Sequence, residues 1–301
     1  MRERQVYSDD VRLHVVEAGD PARPGLVLLH GFPDCHAVWQ AQIEALSDEF
    51  HVIAFDMRGV GRSSRSGRSN AYHMDYLAAD LTAVIDATRG AGARVHLAGH
   101  DWGSIIGWNY LRRPEGRTRV ASWTSMSGPD LDMLWDWVNR KLKSGRRDQV
   151  RDALHQLRHS WYVFAFQVPG LARGLFGALG ARAWRRVLRA GGVPADHPYL
   201  EATAAQARAL TLEPIKLYQQ NGLKPARAPA PSRVDTPTRL LICRRDIFVR
   251  PCVFEYLDDY VPDLTRVEID ANHWAQCSHP DIVTQQIRVF AREQAKREEH
   301  S

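Results

Sequence analysis

The sequence predicts an α/β fold: a mostly parallel, doubly wound sheet interrupted by an inserted helical lid. Three observations carry this. Short apolar runs alternate with stretches of helical period, the pattern of strands joined by crossover helices. The alternation stops after Met126, and the next stretch offers helices and no convincing strand. It then resumes at Thr238 and runs to the end. The 301 residues suffice for one such domain with a large insertion. The expected organisation is a first core part over 1–129, a lid over 130–229 and a second core part over 230–301.

The elements follow in order. "LVLLH" (Leu26–His30), "HVIAF" (His51–Phe55), "VHLAG" (Val95–Gly99) and "VASWTSM" (Val120–Met126) are near-continuous apolar runs, as expected of strands covered on both faces. Between the second and third, Leu77, Leu81, Val84 and Ile85 recur at helical spacing and cover one face. The lid holds Trp135, Trp137, Trp161 and Trp184, and carries 16 Lys and Arg against 8 Asp and Glu, a net of +8 in a chain of +5. A solvated face is the plain reading of that charge; affinity for an acidic partner, or for amphiphilic substrates ending in a carboxylate, is the functional one. "KPARAPAPSRVDTP" reads as the exit from the lid. "TRLLIC" (Thr238–Cys243) and "TRVEI" (Thr265–Ile269) then return to the sheet, and a helix from about Pro280 closes the chain into a tail dense in both charges.

Composition narrows the class. Hydrophobic residues make up 44% and charged residues 25%, ordinary for a soluble globular protein. No apolar run is long enough to span a membrane, and "MRERQVYSDD" lacks the apolar centre of a signal peptide. Cys35, Cys243, Cys252 and Cys277 form no CxxC pair, which suggests reduced thiols and a cytoplasmic setting. No metal and no cofactor is expected. The expected partner is a small apolar or amphiphilic molecule, not nucleic acid.

The chemistry centres on "GHDWG". An apolar strand runs into Gly99, Asp101 occupies the middle of the turn, and Gly103 opens a helix. This is the spacing of a nucleophile elbow, whose small flanking residues let one side chain stand above the sheet. A capping aspartate at a strand–helix junction is the plain alternative. A carboxylate is ionised at neutral pH without help from a base, which suits attack on a saturated carbon bearing a leaving group. A histidine is then free to activate water against the resulting ester. The pattern therefore points to two-step hydrolysis of an epoxide or a carbon–halogen bond.

The partners are expected in the order nucleophile, acid, histidine. Asp246 lies just beyond "TRLLIC" and His273 just beyond "TRVEI", at the strand ends where ligands bind in such sheets. Asp130, after Val120–Met126, is the rival for the acid. His14, His51 and His96 read as structural. Donors for an oxyanion are expected from the amides of Trp102, directly after the nucleophile, and Phe32, in the loop "HGFPD".

These motifs together resemble α/β-hydrolase-fold epoxide hydrolases. "HGFPD", "DMRGVGRSS", "GHDWGS", "RRDIFV" and "NHW" occur in that family's order and span most of the chain. The resemblance implies two lid tyrosines that bond the epoxide oxygen. It places those roles on Tyr162 in "SWYVFAFQVPG" and Tyr218 in "EPIKLYQQNG". Substrate is then expected against Phe32, Trp102, Tyr162, Tyr218 and Trp274. Dehalogenases share the aspartate nucleophile. Haloalkane dehalogenases usually carry asparagine where this chain has Phe32, and those acting on fluorinated acids carry arginines beside the nucleophile, where this chain has Trp102. Cys243 and Asn272 stand where the family usually has glycine. Similar modules also occur fused to a short-chain dehydrogenase, a continuation that the charged tail allows. The competing class is a non-catalytic binder on the same fold.

Overall fold

All six runs read as strands are strands, each placed within one residue of its expected bounds, in a computed structural model described for residues 1–168, 170–223 and 233–299. The sheet has eight strands: β1 (Arg2–Ser8), β2 (Val11–Ala18), β3 (Gly25–Leu29), β4 (His51–Phe55), β5 (Val95–His100), β6 (Val120–Met126), β7 (Thr238–Cys243) and β8 (Leu264–Ile269). Their order is β1-β2-β4-β3-β5-β6-β7-β8. From β4 to β8 every pairing is parallel; β2 pairs antiparallel with both β1 and β4.

The first two strands are the ones the sequence reading did not foresee. Residues 2–5 of β1 are exposed and mostly charged, so no apolar alternation marks it. It is an edge strand, and charge on an edge discourages pairing with another chain. The strands β3 to β7 are buried along their whole length, which is why their sequences read as continuous apolar runs. Helices Met74–Arg89 and Trp102–Leu111 pack together, as do Gln40–Leu46 and Pro280–Glu299.

Between β6 and β7 the described residues form helices and no strand: Leu131–Lys143, Arg147–His159, Trp161–Ala165, Leu171–Ala190, Ala204–Thr211 and Ile215–Asn221. The first is started by Asp130, whose carboxylate accepts the amides of Asp132 and Met133 at 2.8 and 3.0 Å. The same carboxylate takes Arg112 at 2.9 Å on both oxygens. Asp130 is thus occupied as a helix cap and ion-pair partner, and does not meet His273. The stretch read as the lid's exit falls, at 224–232, outside the described residues.

The topology fixes where a site can form. The chain leaves β3 for β4 on one side, then crosses back to β5 on the other side of β3. The loops after β3 and β5 therefore diverge at the carboxyl edge of the sheet, the switch point where such folds hold ligands. These loops carry "HGFPD" and "GHDWG".

Candidate active site

Asp101 follows the last residue of β5 and precedes the helix Trp102–Leu111, with φ 51° and ψ −121°. That conformation costs an L residue roughly 1–3 kcal/mol and persists only where the surroundings enforce it. Here they do. The Asp101 amide donates to the Met126 carbonyl at 3.1 Å, and its carbonyl accepts the Ile105 amide at 3.0 Å, starting the helix. The flanking glycines permit the close approach. A Cβ on Gly99 would lie 2.7 Å from the Gly103 carbonyl oxygen. A Cβ on Gly103 would collide with the Leu29 carbonyl and come within 2.5 Å of that of His30. Gly103→Ala is therefore expected to destabilise the fold by about 1–3 kcal/mol through overpacking. Urea denaturation measures this; an unchanged midpoint would show that the elbow has slack.

The Phe32 amide donates to Oδ1 of Asp101 at 2.6 Å. One carboxylate oxygen thus sits on the donor expected of an oxyanion hole, and Oδ2 lies 3.7 Å from Nε2 of His273. On its other side, Nδ1 of His273 lies 2.9 and 3.1 Å from the two oxygens of Asp246. The Phe248 and Val249 amides donate to Asp246 Oδ1 at 2.8 and 2.9 Å. The structure thereby brings Asp101, His273 and Asp246 into one chain of contacts, all three buried.

The electrostatics follow from this arrangement. Burial opposes a charged carboxylate at Asp246, but His273 and the two loop amides outweigh it and hold the group below its ordinary range. Burial likewise opposes an imidazolium at His273, yet Asp246 and Asp101 on either side push its pKa up to about 10. The charged imidazole therefore stabilises the fold fully below the unfolded value near 6.5, and that contribution is lost as pH climbs toward about 10. An NMR titration should show His273 still protonated above pH 8 in the free protein. In Asp246→Asn the midpoint should fall by more than one unit, because the stronger of the two anionic neighbours is gone. An unmoved midpoint would contradict the pairing.

Supporting residues escaped the sequence reading. Nε2 of His100 lies 3.0 Å from the His273 carbonyl oxygen, with the two rings 4.7 Å apart. Asp34, the last residue of "HGFPD", accepts the Trp274 indole N–H at 2.9 Å and lies 3.7 Å from Nδ1 of His100. The adjacency of His100 to Asp101 is the one signal that could have flagged it. Trp274 is fully buried in this support and does not line the cavity above Asp101. Phe32 reaches the site through its amide, its ring standing edge-on to Tyr218 at 5.2 Å.

A cavity of about 820 Å³, counted with its mouth, opens over Asp101. Its walls include Trp102, Ile105, Leu134, Trp135, Leu157 and Val253, with Tyr162 and Tyr218 in the roof. The two tyrosine rings are 5.8 Å apart, and Tyr218 stands 4.9 Å from the Trp102 ring. Burial first, then the nearby Asp101 carboxylate, pushes both phenols above their ordinary pKa, so both keep their protons. The Trp102 side chain acts on Tyr218 in the opposite sense and does not offset burial, so the phenol keeps its own proton to donate. No Lys or Arg is among the described residues that line the cavity. The positive charge of the described lid residues thus lies outside it, contrary to the expectation of a carboxylate-binding pocket.

Comparison with known proteins agrees with this fold. The family model described as alpha/beta hydrolase fold matches residues 24–280. The "Probable oxidoreductase EphD" of Mycobacterium tuberculosis is 36% identical over 94% of this chain, which spans about half (48%) of that relative's length. "Epoxide hydrolase 3" of Xenopus tropicalis is 30% identical over 94% of this chain and 75% of its own. Among solved structures, a Bacillus megaterium epoxide hydrolase bound to an inhibitor superposes with a TM-score of 0.74 at 23% identity, covering 95% of this chain and 99% of its own. Fold, elbow and relatives concur: the chain belongs to the alpha/beta hydrolase fold family and groups there with epoxide hydrolases.

Proposed function

We propose that this chain hydrolyses an apolar epoxide to a vicinal diol through an ester on Asp101. What supports this most is the orientation of the Asp101 carboxylate. Its Oδ1 is already held by the Phe32 amide at 2.6 Å, which leaves Oδ2 to act as nucleophile in the cavity. Oδ2 attacks a ring carbon, the carbon–oxygen bond breaks, and the leaving alkoxide takes a proton from Tyr162 or Tyr218. A neutral phenol is a suitable donor, since an alkoxide is by far the stronger base.

The second step needs His273 as a base, although it starts as a cation. Ester formation removes the charge of Asp101, one of the two anions that raise the imidazole's pKa. The proton His273 then sheds matches the one surrendered by the tyrosines. Neutral His273, oriented by Asp246, takes a proton from water, and the hydroxide attacks the Asp101 carboxyl carbon. The oxyanion so formed falls on the Phe32 amide, with the Trp102 amide as second donor. Collapse releases the diol and restores the carboxylate.

A dehalogenase with the same nucleophile is the second reading. It is disfavoured because no cation lines the cavity to grip a haloacid among the described residues. Assay of a styrene-type epoxide, a bromoalkane and fluoroacetate in parallel tests the choice. Diol from the first and no halide from the others is the expected result. Halide release without diol would reverse the assignment.

A further inference from the structure

The rim of the cavity continues onto an apolar surface. Phe164 and Leu223 line the cavity and are also exposed. Beside them Trp161 is 64% exposed, and Val168 and Leu171 at least half. An exposed tryptophan amid other exposed apolar groups is uncommon on a surface that meets only water. Directly before Trp161 in the chain, the helix Arg147–His159 has exposed positions Arg147, Arg151 and Arg158 at helical spacing with Leu154 between them. None of these three arginines has an ion pair among the described residues, whereas their neighbours do: Arg146 meets Asp148 at 2.9 Å and Arg250 meets Asp152 at 3.9 Å.

We propose that this face docks on an anionic lipid surface, setting the cavity mouth against the bilayer. The two halves of the face match the two layers such a surface offers. Trp161, Phe164, Val168 and Leu171 suit the boundary between headgroups and chains, where tryptophan is favoured. The unpaired arginines suit anionic headgroups, each contributing on the order of a fivefold gain in partition. A second copy of the chain fits less well. A twofold dimer through this patch would bring two sets of unpaired arginines together. No helix among the described residues can cross a membrane, and surface docking needs none. Delivery of an apolar epoxide straight from lipid into the cavity rests on the function proposed above; the docking does not.

Vesicle flotation without any substrate therefore tests the docking alone. Wild-type protein should float with phosphatidylglycerol-containing vesicles and not with pure phosphatidylcholine, and concentrated salt should release it. The triple variant Arg147→Gln, Arg151→Gln, Arg158→Gln should bind at least about tenfold more weakly. Trp161→Ser with Val168→Ser should also bind at least tenfold more weakly at an unchanged melting temperature. If wild-type protein ignores anionic vesicles, the inference fails, and this outcome needs no variant to fold. It fails equally if both variants bind like wild type. A wild-type dimer in sedimentation that the serine variant dissolves would give the patch to a second copy and overturn the proposal.

Discussion

A His273→Gln variant is expected to react once with an epoxide and then stop. On the proposed route Asp101 needs no base, because a carboxylate oxygen is itself the nucleophile and Oδ2 is free of the Phe32 amide that holds Oδ1. Water does need one, and glutamine cannot take its proton. The intact variant should therefore gain the mass of one substrate molecule on the peptide containing "GHDWGS", with turnover down by a factor of 10³ or more if the base supplies roughly the upper range of general-base catalysis. The wild type gives the complementary result. In a single turnover in heavy-oxygen water with enzyme in excess, the label should enter Asp101 and the diol should leave unlabelled. On the proposed route water attacks the Asp101 carboxyl carbon, so the diol's new oxygen is the old Oδ2. Label passing straight into the diol, with no adduct on the variant, would make Asp101 a general base acting on water and refute the ester route.

The parts of this protein legible in sequence are those where local rules and tertiary structure agree. Strands β3 to β7 are covered on both faces, so each wrote itself as an apolar run. Asp101, Asp246 and His273 each follow a strand end, and the fold brings three such ends together without any sequence nearness. What stayed hidden depends on contacts between distant segments. Strand β1 is marked only by its pairing with β2, because charge covers its outer residues. His100 gains its place from the His273 carbonyl, 173 positions away. Trp274 was expected against the substrate. Its indole instead turns toward Asp34. Lid charge could be counted from sequence, but its side could not: a count of cations says nothing of whether they face the cavity or the solvent.

Tyr162→Phe combined with Tyr218→Phe is expected to nearly abolish ring opening while the fold survives. Each change removes one hydroxyl from a phenol and leaves the ring, and ring packing is what the neighbours use: Phe166 stands 5.8 Å from Tyr162 and 5.0 Å from Tyr218. The reaction loses far more. An epoxide carbon accepts the Asp101 carboxylate only as its oxygen is relieved of charge, and the described lining holds no lysine, arginine or second acid to serve instead. A single change should be partly covered by the remaining phenol, since the two rings lie 5.8 Å apart over one cavity. Loss of one such donor costs roughly 2.7–4 kcal/mol where it acts alone, so each single variant should lose less than about a hundredfold and the double variant far more than the product of the two. Alkylation of Asp101 in one turnover, followed by mass, is the measurement, because it reads ring opening apart from hydrolysis. A double variant that still alkylates at the wild-type rate would remove both tyrosines from the mechanism and leave the epoxide oxygen to be served by water.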